Sequence, residues 1–184
     1  MSIKIVRDRL ARPAAVVLLL TCSVATTAGA NEELARYKAA ERLAAQHVAT
    51  FDMLDFDVFT NQKWDRPKES HSSGIAVHWP DGHVTHGIDK HIGDLKAMFV
   101  YAPGTRIKVH PIKIAPGEWT SVVGVMEGTV TRPMPVGDRN AIAPTGKAFK
   151  LTMCTVGRRV NGVMDEEYLF WDNQTFMKQI GLAK

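Results

Sequence analysis

Acidic and aromatic residues alternate near the end of the chain, in the stretch EEYLFWDN at 166–173. Read as a strand, the stretch has two faces, Glu166, Tyr168, Phe170 and Asp172 on one and Glu167, Leu169 and Trp171 on the other. A carboxyl group in an apolar pocket has a raised pKa, because burial disfavours its charged form, and it can then exchange protons near neutral pH. The pattern suggests Asp172 as a catalytic acid and base. The other side chains on its face would bind substrate: Glu166, Tyr168 and Phe170.

Asp172 also has a purely structural interpretation. It precedes a short helical segment, and either Asp172 or Asn173 could cap that helix by accepting a hydrogen bond from an unpaired backbone amide. The two roles can be divided, with Asn173 as the cap and Asp172 as the acid or base. Glu166 also has a structural interpretation, in which it is a carboxylate at the rim of a hairpin and does not bind substrate.

Five histidines and three aspartates lie between residues 71 and 94: His71, His78, His83, His86, His91, Asp81, Asp89 and Asp94. These side chains are suitable ligands for zinc, nickel or copper. However, His83 and His86 are three residues apart on a predicted strand, which places their rings on opposite faces. The spacing argues against a compact site, and we expect no metal. His78, just before a predicted turn, is a candidate for lining the substrate pocket, with an exposed position as the alternative.

The first 30 residues have the three parts of a secretory signal peptide. Four basic side chains lie within residues 4–12, an apolar run extends from 14 to about 25, and Ala28-Gly29-Ala30 offers small residues for cleavage. The run is shorter than the roughly 20 apolar residues that span a bilayer. We therefore expect cleavage after Ala30, a periplasmic or secreted protein without a stable membrane span, and one domain over 31–184. Lipidation of Cys22 is an alternative that the preceding threonine disfavours.

Cleavage would leave 19 basic and 18 acidic residues, because four of the 23 basic and one of the 19 acidic side chains precede residue 31. A formal charge of +1 on the remaining chain supplies no basic stripe, so we expect no nucleic-acid partner. Cys154 would be the only cysteine, which excludes an intramolecular disulfide. The remaining chain must therefore be stabilised by its own hydrophobic core, and its length suits a single domain.

Helical spacing recurs in four parts of the chain. Residues 32–50 are rich in Ala, Leu, Glu and Arg and predict an amphipathic helix. A shorter helix is predicted over 55–64, where Arg66-Pro67 would end it. A third is predicted over 88–100, because apolar residues recur there on one helical face. The closing segment, residues 173–181, predicts a helical turn or short helix that ends at Gly181.

Period-two alternation predicts the strands. Two short strands should flank Pro80-Asp81-Gly82, whose residue types favour a turn. Four longer candidates follow from residue 105 onward, at 106–114, 118–131, 147–160 and 162–172. Asn161-Gly162 between the last two is a strong hairpin signal. The chain should therefore fold as an α+β domain, with helices followed by a curled antiparallel sheet.

Several of these features together resemble the SnoaL-like polyketide cyclase or ester cyclase group of the NTF2-like superfamily. They are the N-terminal helices, the hairpin IAVHWPDGHVTHG, the helix GIDKHIGDLKAMF, the strand NGVMDEEYLFWD and the terminal FMKQIG. The resemblance implies a cone of helices on a strongly curved mixed or antiparallel sheet, with a pocket inside. It also implies a homo-oligomer, a dimer or tetramer formed through the outer face of the sheet.

In the polyketide cyclases, an Asp near the end of the last long strand is the general acid and base of an aldol closure, without metal or organic cofactor. Asp172 matches that position, and Glu166 matches an acidic residue of the same strand. Some aldol cyclases carry a His on the preceding strand, where this chain has Arg158-Arg159. The resemblance thus implies a cofactor-independent cyclase, isomerase or hydrolase acting on a small hydrophobic carbonyl compound. The alternative is a non-catalytic module that binds a small molecule or a protein, and a weaker one is metal handling by the histidines.

Overall fold

The computed structural model describes residues 15–137 and 140–184, with side chains from residue 28 onward. The chain divides into two compact units, Met1–Glu41 and Arg42–Lys184. In the first unit, residues 15–41 are helical, and the side chains from 28 to 41 are exposed. The predicted signal peptide lies partly outside the described residues, and cleavage after Ala30 stays a prediction. Within the described ranges, no helix combines the length and the apolar character needed to cross a membrane.

Helix α1 spans Ala15–Met53 and includes the helix predicted over 32–50. The chain then continues directly into a π-helical turn, Leu54–Phe59, instead of starting the separate helix predicted over 55–64. No Pro or Gly interrupts this region before Pro67, so no residue forces a break. π-Turns are frequent at functional sites, and this one carries an aspartate toward the interior of the second unit.

The next elements confirm the predicted hairpin and the helix after it. Strand β1, His71–His78, pairs antiparallel with β2, Val84–His86. Helix α2 then covers Ile88–Tyr101. A short 3₁₀ turn over Pro67–Glu69 leads into β1.

The main sheet has seven strands. Its remaining members are β3 (Arg106–Ile107), β4 (Ile112–Ile114), β5 (Trp119–Thr129), β8 (Ala148–Val160) and β9 (Val163–Trp171). The strand order is β2-β1-β9-β8-β5-β3, with β4 also paired to β5. All of these pairs are antiparallel except β1 with β9, which makes the sheet mixed.

The turn between β8 and β9 is formed by Asn161-Gly162, as predicted. Both residues have positive φ, 52° and 86°, which Asn and Gly adopt at low steric cost. The loop before β8 contains a separate two-stranded sheet, β6 (Met134–Val136) and β7 (Asn140–Ile142), which the sequence did not predict. Helix α3, Asn173–Gln179, follows β9 and confirms the terminal helix.

Two clusters of buried side chains form the core of the second unit. One groups Phe99, Met126, Phe149 and Phe176 with their neighbours, and it joins α2 and α3 to the sheet. The other groups Phe51, Ile75, Val122 and Met164 with theirs, and it joins the end of α1 to β1, β5 and β9. The α+β arrangement expected from the sequence is therefore present, with its interior between the helices and one face of the sheet.

Candidate active site

A cavity of about 110 Å³ lies between the helices and the inner face of the sheet. Most of its lining is apolar: Leu54, Phe59, Trp79, Leu95, Met98, Ile107, Met126, Met153, Leu169 and Trp171. Six polar side chains also line it: Asp55, His71, His91, Asp94, Thr155 and Glu167. An apolar cavity with a few polar groups is the usual form of a small-molecule site.

Asp55 belongs to a chain of hydrogen-bonded charges that leads away from the cavity. Its Oδ2 lies 2.8 Å from His110 Nε2, and His110 Nδ1 lies 2.7 Å from Asp52 Oδ1. Lys113 Nζ donates to Asp52 Oδ2 at 2.9 Å. The His110 side chain is fully buried, whereas those of Asp52 and Lys113 are partly exposed. The π-turn makes this possible, since it presents Asp55 to the cavity close to the helical Asp52.

Electrostatics favour proton exchange at this end of the cavity. Burial raises the pKa of Asp55, and its hydrogen bond with His110 only partly offsets that rise. For His110, burial alone would lower the pKa, but hydrogen bonds to Asp55 and Asp52 outweigh burial and raise it. Burial would raise the pKa of Asp52, but Lys113 and His110 together lower it. Asp55 is thus a carboxyl group whose pKa is moved toward neutrality, the requirement for a general acid or base.

A second polar group is formed by His71, His91 and Glu167, whose ligand atoms all lie within 4.8 Å of one another. Glu167 Oε2 is 3.3 Å from His91 Nε2 and 3.9 Å from His71 Nε2. All three residues are at least 96% buried. His71 comes from β1, His91 from α2 and Glu167 from β9.

Burial determines the charge states of this group. It lowers the pKa of His71 to about 4 and that of His91 to about 3, so both rings are neutral at pH 7. Burial also raises the pKa of Glu167 to about 8, with a further rise from Asp55 that Arg159 opposes.

The prediction that Asp172 faces the cavity is wrong. Asp172 is exposed and caps α3, because its Oδ1 accepts hydrogen bonds from the backbone amides of Gln174 at 2.8 Å and Thr175 at 3.1 Å. Hydrogen bonding with Thr175 lowers the pKa of Asp172, which is opposite to the shift expected for a buried acid. Asn173, the alternative cap, instead accepts a hydrogen bond from Trp171.

The other predicted site residues meet on the opposite face of the sheet. The His78 and Tyr168 rings stack with centroids 4.1 Å apart, and both side chains bond Glu166 Oε1, at 3.2 Å and 2.7 Å. Phe170, on the same face, is 52% exposed. The alternation in β9 was correct, but the odd-numbered side chains Glu167, Leu169 and Trp171 line the cavity. The sequence does not separate the faces, because each carries aromatic residues and a carboxylate.

Several site residues were missed by sequence reasoning. Asp55 and Glu167 had no signal that separated them from the neighbouring acids Asp57 and Glu166. His110 lies in a segment predicted as one continuous strand, which is interrupted between β3 and β4. Of the histidines between 71 and 91, only His71 and His91 line the cavity. Neither belongs to the His83–His86 pair on which the argument against a metal rested.

Comparison with known proteins agrees with the fold. The family model described as SnoaL-like polyketide cyclase matches residues 51–180. A SnoaL-like polyketide cyclase candidate from Jannaschia sp. CCS1 superposes with a TM-score of 0.65 at 20% identity, covering 76% of this chain and 94% of that chain. The candidate polyketide cyclase IdmH from Streptomyces antibioticus gives 0.61 at 18% identity, covering 75% and 98%. No curated protein matches the chain.

A further structural neighbour supports the same fold. A protein from Catenulispora acidiphila with a ketosteroid isomerase-like fold, crystallised with trimethylamine, superposes with a TM-score of 0.57 at 12% identity, covering 74% of this chain and 93% of that chain. These likenesses confirm the predicted α+β, NTF2-like architecture. The family match covers the elements that enclose the cavity, from the end of α1 to α3, and on that match the chain belongs to the SnoaL-like polyketide cyclase family.

Proposed function

We propose that the protein is an acid/base enzyme acting on a small hydrophobic carbonyl compound in the cavity, with Asp55 as the residue that moves the proton. The observation that carries the proposal is the position of Asp55, which lines the apolar cavity and is hydrogen-bonded to the buried His110. No donor among the described residues bonds its other oxygen, Oδ1. That oxygen is therefore available to a substrate.

The reaction begins with a C–H bond next to a carbonyl group. The Asp55 carboxylate removes the proton, the C–H electron pair forms the C=C bond of an enolate, and the carbonyl π pair moves onto oxygen. Return of the proton to another atom of the enolate completes an isomerisation. Attack of the enolate carbon on a second carbonyl of the same molecule, with protonation of the resulting alkoxide by Asp55, completes an aldol cyclisation.

The chain from Asp55 through His110 and Asp52 to Lys113 supports this role. A hydrogen-bonded path from a buried acid/base to partly exposed side chains lets its proton equilibrate with solvent when the substrate does not take that proton back. The cavity size restricts the substrate, because sites for drug-sized ligands are roughly 300–1,000 Å³. At about 110 Å³, this cavity is suited to a compact ketone or diketone.

The test measures proton exchange on a panel of compact ketones and β-diketones in D₂O by NMR, which needs no knowledge of the natural substrate. The wild-type protein should accelerate exchange next to a carbonyl, and Asp55→Asn should reduce the rate by roughly 10²–10⁴-fold. Asp57→Asn is the matched control, since Asp57 lies in the same turn but pairs with Lys63 and Arg66. Equal rates in wild type and Asp55→Asn would contradict the role of Asp55.

A non-catalytic binding function is the second candidate, and the observation that favours it is the predominance of apolar side chains around the cavity. Native mass spectrometry of protein purified from its own cells would detect a retained ligand. A ligand bound unaltered, together with no exchange on any ketone of the panel, would favour this function over catalysis.

A further inference from the structure

Polar atoms without hydrogen-bond partners meet at one wall of the cavity. His71 Nε2, His91 Nδ1 and Glu167 Oε2 are buried, and none of them has a partner among the described residues. A buried polar atom without a partner costs about 1–3 kcal/mol, so several in one place call for an explanation. A bound ion between Glu167 Oε2, His71 Nε2 and His91 Nε2 would satisfy the carboxylate and the His71 nitrogen. His91 Nδ1 points away from Glu167 and would not contact the ion.

The tautomer of His71 is determined by its surroundings. Its Nδ1 lies 3.1 Å from the Pro67 carbonyl oxygen, which can only accept a hydrogen bond. Ser70 Oγ lies 3.0 Å from the same carbonyl oxygen and 2.9 Å from Nδ1. A protonated Nδ1 satisfies all of these contacts, because the ring N–H is directed at two acceptors and the hydroxyl donates its own proton to the carbonyl. Nε2 therefore has a free lone pair directed toward Glu167. A histidine held at Nδ1 by a backbone carbonyl, with Nε2 free, is the usual arrangement of a metal ligand.

We propose that His71, His91 and Glu167 bind a divalent transition-metal ion. Two imidazole nitrogens and one carboxylate oxygen form the ligand set of some catalytic zinc sites and of non-haem iron sites. Calcium and magnesium prefer oxygen ligands, so the two imidazoles make binding of these ions unfavourable. Because all three side chains line the cavity, a coordination position stays open toward it.

Two of the three ligand separations are close to those around such an ion, and the third, between the two imidazole nitrogens, is at most 4.8 Å. Ligand atoms about 2.0–2.2 Å from a tetrahedral metal lie roughly 3.3–3.6 Å from one another. The separation of 3.3 Å between Glu167 Oε2 and His91 Nε2 lies within this range, and the 3.9 Å to His71 Nε2 needs a shift of only a few tenths of an ångström. The three ligands come from two paired strands and a helix, which hold them without dependence on a loop.

The metal site goes beyond the proposed function and uses none of the residues in the Asp55–His110 pair. An ion at this wall would be placed to polarise a carbonyl oxygen of a molecule in the cavity. Metal binding is measured without substrate, and proton exchange is measured on the Asp55→Asn variant. Failure of one proposal is therefore distinguishable from failure of the other.

The experiment uses the full chain without a histidine tag, stripped with a chelator and then incubated with Zn²⁺ or Co²⁺. After gel filtration, inductively coupled plasma mass spectrometry should find one metal ion per chain. The Co²⁺ form should also show a d–d absorption band in the visible range. Glu167→Gln and His91→Asn should each weaken binding by at least the roughly 10–100-fold that loss of an outer hydrogen-bond partner costs. Glu166→Gln and His78→Asn, neighbours on the opposite face of the sheet, should bind as the wild type does.

Two results would overturn the proposal. One is a wild-type protein that retains no metal at micromolar concentration, which would leave a protonated Glu167 hydrogen-bonded to a histidine after a small rotation. The other is metal that is retained by Glu167→Gln but lost from a His83→Ala variant, which would place it on the surface. If the cavity variants fail to fold, X-ray absorption of the Zn²⁺-loaded wild type must still show two imidazole ligands and one carboxylate.

Discussion

His110 has an unusual position at the scale of single residues, because its ring is fully buried between two carboxylates. The Phe56 ring packs against it at 4.4 Å between centroids, and the Phe51 ring lies edge-on at 6.0 Å. A charged imidazole is stabilised here by Asp52 and Asp55, while the two aromatic rings keep water away. The hydrogen bonds therefore outweigh burial, and the pKa of His110 is raised above its usual value of 6.5.

This raised pKa predicts a pH-dependent contribution to stability. Since the folded protein holds the proton more tightly than the unfolded chain, the contribution is fully present below pH 6.5 and is lost as pH rises through the folded pKa. His110→Gln should therefore lower the free energy of unfolding by about 3 kcal/mol at pH 6, and by less at pH 9. Urea unfolding at the two pH values measures the difference. His86→Gln, at an exposed histidine without an ion pair among the described residues, is the control. An equal cost at both pH values for His110→Gln would contradict the prediction.

At the scale of elements, Asp172 joins β9 to α3. Its carboxylate binds the first free amides of a seven-residue helix that places Phe176 and Ile180 in the core. A helix of this length is unstable alone, so its cap and its core contacts must together maintain it.

The capping role gives a prediction that separates structure from catalysis. Asp172→Ala should lower the free energy of unfolding by about 0.5–2 kcal/mol, and Asp172→Asn should cost less, because Asn caps helices nearly as well as Asp. Urea unfolding measures both. Neither change should reduce proton exchange in the ketone assay beyond the loss of folded protein. A large loss of exchange in a fully folded Asp172→Asn protein would restore Asp172 as the acid and base.

At the scale of the whole molecule, a row of apolar side chains crosses the outer face of the sheet. Phe170, Cys154, Val123 and Ile112 are direct partners across β9, β8, β5 and β4. The two ends of the row are the most exposed, Phe170 at 52% and Ile112 at 53%. We propose that a second copy of the chain covers this face, as the family resemblance leads us to expect.

An interface on this row predicts that Phe170→Asp weakens self-association. Placing a charge in an apolar contact should cost about 2 kcal/mol or more, which corresponds to at least a roughly 30-fold higher dissociation constant. Size-exclusion chromatography with light scattering, over a series of concentrations, measures the mass. Val136→Asp is the control, because Val136 is similarly exposed but belongs to the separate β6–β7 sheet. A wild-type protein that stays monomeric at all concentrations would exclude the oligomer.

The sequence by itself determined the kind and order of most elements. Helical spacing, period-two alternation and turn residues such as Asn161-Gly162 are local properties, so α1, α2, the β1–β2 hairpin and the β8–β9 hairpin were predictable. The wider π-turn after Met53 was not, because no single residue type specifies it. The small β6–β7 sheet was missed since its strands are three residues each.

Only the tertiary structure decided which residues form the site. The two faces of β9 have similar residue types, and the choice between them depends on its pairing with β1 and on which face of the sheet the helices cover. That packing turns Glu167 toward His71 and His91, and it leaves Glu166 outside with His78 and Tyr168. Asp55 and His110 are likewise brought together by the π-turn and by the short strands β3 and β4. Contacts between residues so distant in the chain arise from the packing of elements, which local patterns do not encode.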